Sequence, residues 1–188
     1  GLLILHAGVA FASVPHTVLL VDHVARALGH GLQAGGIVWI ACGLGALILP
    51  ITTGGLADRL GATLTSRLTM GFCAVVSLVP ALMDQLPAQI VAGFINVGFI
   101  MAFGAYSASR LREIVGARDQ AAAWGALTIT AGISQAVSAT LFAALPAAGI
   151  DAHAMFIGSA VAFALGVAGD SAATAWSKRR LTAPAAHP

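Results

Sequence analysis

Long stretches without a charged residue follow one another along the chain, separated by short segments that hold nearly all the Asp, Glu, Lys and Arg residues. No charge occurs before Asp22, and none occurs between Arg26 and Asp58. A helix of about 20 mostly apolar residues, rising about 1.5 Å per residue, is long enough to cross a lipid bilayer. The pattern predicts six such spans, at about residues 2–21, 34–53, 67–83, 87–109, 121–145 and 153–176.

Each predicted span is expected to be a helix. The hydrocarbon core of a bilayer offers no hydrogen-bond partner, so a crossing segment must satisfy its own backbone N–H and C=O groups. The alternation of apolar and polar residues that suits a membrane β-barrel is absent from the sequence. The predicted fold class is therefore an all-α membrane protein, in which residues 1–176 form one six-helix bundle and residues 177–188 form a tail.

The composition also points to lipid surroundings. Only 9% of the 188 residues are Asp, Glu, Lys or Arg, and 59% are apolar. The mean hydropathy is +0.92. Because a water-soluble domain has about a quarter of its residues charged, this composition excludes one, and the lipid bilayer is the expected environment.

The basic residues predict the orientation in the membrane. If the chain starts in the cytoplasm, the loop 54–66 with its flank, the loop 110–120 and the tail from residue 177 lie on the cytoplasmic side. Arg26 is then the only basic residue on the opposite side, which satisfies the positive-inside rule. Six spans place both ends in the cytoplasm, and the expected location is a bacterial inner membrane. The cytoplasmic basic residues are Arg59, Arg67, Arg110, Arg112, Arg118, Lys178, Arg179 and Arg180.

The sequence excludes several classes of function. Its net charge of +2 comes from these membrane anchors, so no nucleic-acid partner is expected. No G-x-x-x-x-G-K-[ST] motif is present, which argues against an ATP-driven pump. Cys42 and Cys73 are isolated within spans, and no metal or other cofactor is expected. An enzyme is not expected either, because His6 and His16 have no acidic companion in the first span.

A polar segment follows the second span and reads Gly54-Gly55-Leu56-Ala57-Asp58-Arg59-Leu60-Gly61. It is predicted to form a tight turn between two helices, where Gly permits close approach, Asp can face a helix N-terminus and Arg can pair with acids or lipid head groups. The segment resembles the G-x-L-A-D-R-x-G signature of major facilitator superfamily transporters. That resemblance implies a role in conformational change for Gly54, Asp58, Arg59 and Gly61.

A narrower resemblance extends from about residue 3 to 170. The segment 14–22, together with Val24-Ala25-Arg26, is similar to the seventh helix and following loop of the YbfB/YjiJ-type members of that superfamily. The similarity continues at Trp39, Gly43-Leu44-Gly45-Ala46, Arg112-Glu113, Ala123-Trp124 and Gln135-Ala136. It implies that the chain corresponds to helices seven to twelve, the C-terminal half of a twelve-helix transporter. The chain also begins inside an apolar span without an initiator Met, as a fragment would.

The resemblance implies that the missing N-terminal six-helix half is the main protein partner. In this superfamily the first, second, fourth and fifth helices of each half line or flank the central cavity, while the third and sixth lie outside. Asp58 is expected to face a helix N-terminus of the opposite half when the cytoplasmic side closes. Its partner is therefore expected to lie outside this sequence.

Polar residues inside the spans are candidates for contacting substrate or exchanging a proton. His16 lies within the family-like segment, and an imidazole changes its charge near physiological pH. The alternative for His16 is a neutral ring that only forms a hydrogen bond between helices. His6, Asn96 and Gln135 carry the same two interpretations, because a buried polar group in a membrane needs a partner. At 100° per residue, His6 lies on one face with Ser13, about 80° from His16.

Three charged residues also leave alternatives open. Asp22 and Arg26 are four residues apart, the spacing of a helical ion pair, and form either a surface pair or an outer gate. Asp170 lies inside the last span, where a carboxylate is either functional or accommodated by snorkelling to the interface or by pairing.

The sequence therefore predicts one half of a secondary transporter. Two six-helix bundles would rock about a midplane site and carry a small organic solute, with proton coupling through His16 or a residue of the other half. The alternative is a non-transporting six-helix membrane protein that acts as a homodimer or receptor.

Overall fold

A computed structural model describes residues 1–182, which form helices joined by short turns. No β-strand occurs within this range. The predicted all-α class is confirmed for these residues. The long helices are α1 (Leu2–Ala27), α2 (Gly31–Leu60), α3 (Ala62–Leu82), α4 (Leu86–Ala144) and α5 (His153–Thr182).

Five of the helices in residues 1–182 are long and apolar enough to cross a membrane. The six predicted spans fall on them to within a residue, with two of the spans on α4. Residues 177–182 of the predicted tail continue α5. Residues 183–188 of that tail lie outside the described part of the chain.

The predicted loop 110–120 is wrong in this structure, because helix α4 runs through it and is interrupted at one residue. Gly116 has φ 77° and ψ 170°, a conformation that lacks a steric penalty only for glycine. A straight helix of 59 residues would be about 90 Å long, three times the hydrocarbon thickness of a bilayer. The interruption divides α4 into a first arm, residues 86–115, and a second arm, residues 117–144.

The predicted loop 54–66 is likewise mostly helical. Residues 54–60 form the last turns of α2, and α3 begins at Ala62. Gly61 alone makes the connection, with φ 81° and ψ 148°. The motif therefore lies on the end of a helix rather than in a separate polar loop. Residues 54–60 have helical backbone, and only Gly61 departs from it.

Helix α1 contains two π-helical segments, Pro15–Leu19 and His23–Ala27. Proline has no N–H to donate to the preceding turn, so an α-helical register loses a hydrogen bond at Pro15. Single π-helical turns inside α-helices are frequently found at functional sites. In this chain the two π-helical segments lie in the half of α1 that carries His16, His23 and Arg26.

The helices pack closely through small residues. Helix α2 lies along the first arm of α4, where a Cβ at Gly45 would come within 2.0 Å of the Phe94 carbonyl oxygen. Helix α1 packs between α4 and α5, and a Cβ at Gly8 would lie 2.9 Å from the Gly166 Cα. Close backbone approach of this kind is a common basis of helix association in membranes.

A buried charge cluster joins three helices near the Gly61 end of the bundle. Asp170 on α5 is fully buried and accepts hydrogen bonds from Arg67 Nε on α3 at 2.7 Å and from Arg110 Nη2 on α4 at 2.8 Å. Arg67 also donates to the Thr174 hydroxyl at 2.8 Å, and Arg110 donates to the Ser66 hydroxyl at 3.2 Å. Of the two interpretations of Asp170, the paired carboxylate is the one that the structure contains.

Candidate functional site

A pocket of about 260 Å³ lies between α1 and the two arms of α4. Helix α1 contributes the face that His6 shares with Ser13, and the second arm of α4 contributes Gln135. The walls between these polar groups are apolar or aromatic. We call this space the inter-arm pocket, and its other lining residues are Val9, Ala10, Ile100, Met101, Phe103, Gly104, Trp124 and Ala131.

His6 is held at one end of the inter-arm pocket. Its Nδ1 lies 3.4 Å from the hydroxyl of Ser107, which is fully buried on the first arm of α4. The ring packs against Phe103 with centroids 5.4 Å apart and meets the edge of Trp124 at 6.2 Å. Contacts with both arms of α4 therefore fix the orientation of the ring, which is half-buried.

Gln135 lies in the same pocket, about three turns along the second arm from Trp124. Its side chain is exposed, and Nε2 lies 3.5 Å from the Ser13 hydroxyl, at the limit of a hydrogen bond. Ser13 donates its own proton to the Ala10 carbonyl at 2.8 Å. An amide can offer two donors and one acceptor, so most of the hydrogen-bonding capacity of Gln135 is available to a molecule in the pocket.

His16 and Asn96 lie elsewhere, in the interior of the bundle. Both are fully buried, and both meet the hydroxyl of Ser77 on α3. His16 Nε2 lies 2.9 Å from Ser77 Oγ, which donates to Asn96 Oδ1 at 3.5 Å. The His16 ring also packs on Phe156 of α5 at 5.4 Å. The structure thus separates His16 and Asn96 from the pocket that His6 and Gln135 share.

Asp22 and Arg26 form the ion pair that their spacing predicts, and we call them the outer pair. Arg26 Nη1 lies 2.8 Å from Asp22 Oδ1, and the two side chains are 83% and 57% exposed. An ion pair so exposed contributes at most about 1 kcal/mol to stability.

Several residues of the segment 54–61 line another pocket, of about 430 Å³. Gly54, Asp58 and Gly61 contribute to it from the α2–α3 connection, and Glu113 contributes from α4. Asp58 and Arg59 are both exposed, and neither forms an ion pair with another residue of the described range 1–182. Asp58 also lies near the C-terminal, negative end of the α2 dipole, where a carboxylate is unfavourable by about 0.3–1 kcal/mol.

Sequence reasoning did not assign a site role to Trp124, which lines the inter-arm pocket, or to Ser107, which contacts His6 from outside its lining. A Trp near the end of a predicted span, such as Trp124, is typical of the membrane interface rather than of a binding site. The helical spacing does indicate that Trp124 lies beside Gln135. The two are eleven residues apart and therefore lie within about 20° on one face of the helix. Ser107 carries no such signal, because its contact with His6 depends on how two helices pack.

A family model described as "Uncharacterised MFS-type transporter YbfB" matches residues 2–169. No curated protein and no solved structure matches the chain.

Proposed function

This chain belongs to the major facilitator superfamily, in its YbfB-type family, and we propose that it works as helices seven to twelve of a twelve-helix secondary transporter. Members of this superfamily are integral membrane transporters, so transport across a lipid bilayer is the function to be explained. In the proposal, the six helices of this chain and six from an N-terminal half rock about a shared site. The solute is a small organic molecule.

The length of α4 supports six crossings. Each arm of α4, residues 86–115 and 117–144, is longer than the roughly 20 residues that one crossing requires, whereas the whole helix is far too long for one crossing. In the proposal, Gly116 lies at the cytoplasmic surface, in the basic segment that contains Arg110, Arg112 and Arg118. The Gly61 turn lies on the same side, with both ends of the chain.

The inter-arm pocket is the observation that carries the proposed substrate site. It places an imidazole and a largely unpaired amide between apolar walls, and its helices are the first, fourth and fifth of the bundle, counting the arms of α4 separately. Binding sites for small molecules commonly combine apolar walls with a few polar groups that fix orientation. In the proposal, His6 and Gln135 form hydrogen bonds with the solute, and Trp124 contacts its apolar part.

Proton coupling is the second part of the proposal, with the two histidines as its candidates. His6 faces the pocket and can respond to the solute directly. His16 bridges α1 to α3 through Ser77, so a proton gained there would alter an interhelical contact, which Asn96 shares. Comparing His6→Gln with His16→Gln, each with and without a pH gradient, distinguishes the two.

The motif and the outer pair complete the proposed cycle. In the closed cytoplasmic state, Asp58 faces a helix N-terminus in the other half, which would offset its unfavourable position at the end of α2. Arg59 pairs with acids or lipid head groups at the same surface. On the other side, the Asp22–Arg26 pair borders the outer opening and acts as a gate or loop anchor.

An accessibility experiment tests the pocket before the solute is known. Gln135→Cys in the full-length protein is expected to react with a membrane-impermeant maleimide added from either side, because alternating access exposes the pocket in turn. Ser159→Cys is the matched control, since Ser159 is fully buried among the helices. The native Cys42 and Cys73 are also buried and give little background.

Transport is then measured in proteoliposomes offered a panel of small organic solutes, with and without a pH gradient. We expect His6→Ala and Gln135→Ala to reduce uptake at least tenfold, and Ile133→Ala, an exposed position on the same helix, to have little effect. If Gln135→Cys reacts no more than Ser159→Cys, the pocket is not the solute path. Unchanged uptake by both pocket variants would remove the substrate site, and a protein that moves no solute would favour the receptor or homodimer alternative.

A further inference from the structure

A second cavity, of about 480 Å³, lies at the end of the bundle opposite Gly61. It is bordered by the end of α1, by the end of α4 and by the connection that leads into α5. We call it the outer cavity. Its size is within the range of about 300–1,000 Å³ that small-molecule sites occupy. It shares no lining residue with the inter-arm pocket.

Most of the outer cavity is apolar. The side chains that give it this character come from all three bordering elements, and Phe142 is fixed by an edge contact with Phe11 at 5.4 Å. An apolar space of this kind favours an occupant with an apolar body, because filling it adds dispersion contacts that an empty space lacks. The main apolar lining residues are Leu19, Phe142, Leu145, Ile150 and Met155.

One buried polar side chain in the wall of the outer cavity, His23, lacks a hydrogen bond of normal geometry to the described part of the chain. His23 is 2% exposed, and neither of its ring nitrogens forms a hydrogen bond of normal geometry within the described residues. The Pro80 carbonyl lies near the ring but outside that geometry. A buried polar group without a partner destabilises the folded state, so a ligand that bonds to His23 would recover that free energy.

The rim of the outer cavity combines the N–H donors of Arg26 and His23 with the carboxylate of Asp22, which Arg26 binds. Arg26 carries five N–H groups, of which one bonds to Asp22 at 2.8 Å. The imidazole of His23 provides at least one further N–H in either neutral tautomer. The polar end of an occupant is therefore expected to be an acceptor, such as a carboxylate or an ester carbonyl.

The backbone around the outer cavity has a defined local structure. The π-helical segment His23–Ala27 supplies three of the lining residues, and single π turns are frequent at functional sites. On the other wall, Asp151 accepts a hydrogen bond from the His153 backbone N–H at 2.7 Å, and His153 Nε2 lies 3.1 Å from Asp84 Oδ1. These contacts anchor the connection that carries Ile150 and Ala152.

We propose that the outer cavity binds an acyl chain with an oxygen-containing head group, and that the head group contacts His23 and Arg26 while the chain fills the apolar space. Two sources share this chemistry, a free fatty acid from the water phase and a phospholipid from the surrounding leaflet. The site is separate from the inter-arm pocket, so it stands whether or not the proposed solute path is correct.

The test uses the full-length protein in phosphatidylglycerol nanodiscs. Octanoate binding is measured by calorimetry, and native mass spectrometry detects retained phospholipid. We expect Met155→Trp, which fills the cavity, to abolish binding of the occupant. His23→Phe keeps the ring contact with Phe156, now at 4.9 Å, and is expected to weaken binding about tenfold, the effect of one lost hydrogen bond to a buried group.

Two further variants keep the test decisive. Ile157→Trp adds the same side chain on α5 at an exposed position outside the cavity and is expected to bind like the parent protein. Arg26→Gln alters an exposed side chain that cannot disturb the core, and it is expected to weaken binding as His23→Phe does. Saturable octanoate binding identifies a free fatty acid as the occupant, and phospholipid retained by the parent protein but lost in Met155→Trp identifies the bilayer. If neither probe binds, or if Met155→Trp binds like Ile157→Trp, the proposal is overturned.

Discussion

The carboxylate of Asp170 holds two arginines from different helices inside the bundle. Replacing it with Asn leaves Arg67 and Arg110 with no counter-charge at that point, and breaking a buried ion pair in this way costs about 3–5 kcal/mol. We therefore expect Asp170→Asn to lower the Tm of the protein in detergent by roughly 10 °C. Thermal unfolding followed by intrinsic fluorescence measures the change.

The exposed pair supplies the matched control for Asp170. Asp22→Asn removes one ion pair of similar length, but both partners are largely exposed, so the Tm should move by no more than a few degrees. Equal losses in the two variants would show that burial does not set the strength of the Asp170 cluster. A triple variant that replaces Asp170, Arg67 and Arg110 with apolar residues should recover much of the loss, because no buried charge then remains unpaired.

Single residues also show what the sequence could and could not predict about the candidate site. Helical spacing placed His6 and Ser13 on one face, and the structure brings that face to a pocket with Gln135. The same spacing set His16 apart from this face, but it could not identify Ser77 as its partner. Periodicity tells which side chains share a face of one helix, whereas the neighbour of that face depends on how the helices pack.

Close contact between α2 and the first arm of α4 makes a prediction at the scale of whole elements. Gly45→Ala would place a methyl group 2.0 Å from the Phe94 carbonyl oxygen, so the two helices must separate. Overpacking of this kind costs about 1–3 kcal/mol, and we expect a corresponding fall in Tm. Gly43→Ala, two residues earlier on the same helix, adds its methyl group where nothing lies within 4 Å. That control should be neutral or slightly stabilising, and a Tm loss as large as that of Gly45→Ala would contradict the packing argument.

The hydropathy pattern predicts where the helices lie, but it does not predict where they begin and end. It located every long helix, since transfer into lipid depends on composition averaged over a span. It made the loops at 54–66 and 110–120 too long, because charged residues such as Arg59 and Arg112 are good helix formers and extend the helices beyond the hydrocarbon. Within these two segments the helix breaks only at Gly61 and Gly116, where φ is positive. A glycine in a charged segment is thus a better sign of a helix end than the charges around it.

At the scale of the whole molecule, the orientation of α4 decides between five crossings and six. If each arm crosses the membrane separately, Ala117 and Ala147, both exposed, lie on opposite sides. We expect Ala147→Cys to react with an impermeant maleimide on intact cells, and Ala117→Cys to react only in inside-out vesicles. Cys42 and Cys73 are buried and should stay unreactive in both.

The side on which each label reacts also tests the charge asymmetry. Ala117 lies among the basic residues of the segment 110–120, which the positive-inside rule places in the cytoplasm, and Ala147 lies in the connection that leads to the outer cavity. Labelling of both positions from the same side would mean that the second arm does not cross. The bundle would then lack its fifth crossing, and the inter-arm pocket could not be part of a path through the membrane. Opposite labelling gives the two arms of α4 the antiparallel arrangement that this pocket requires.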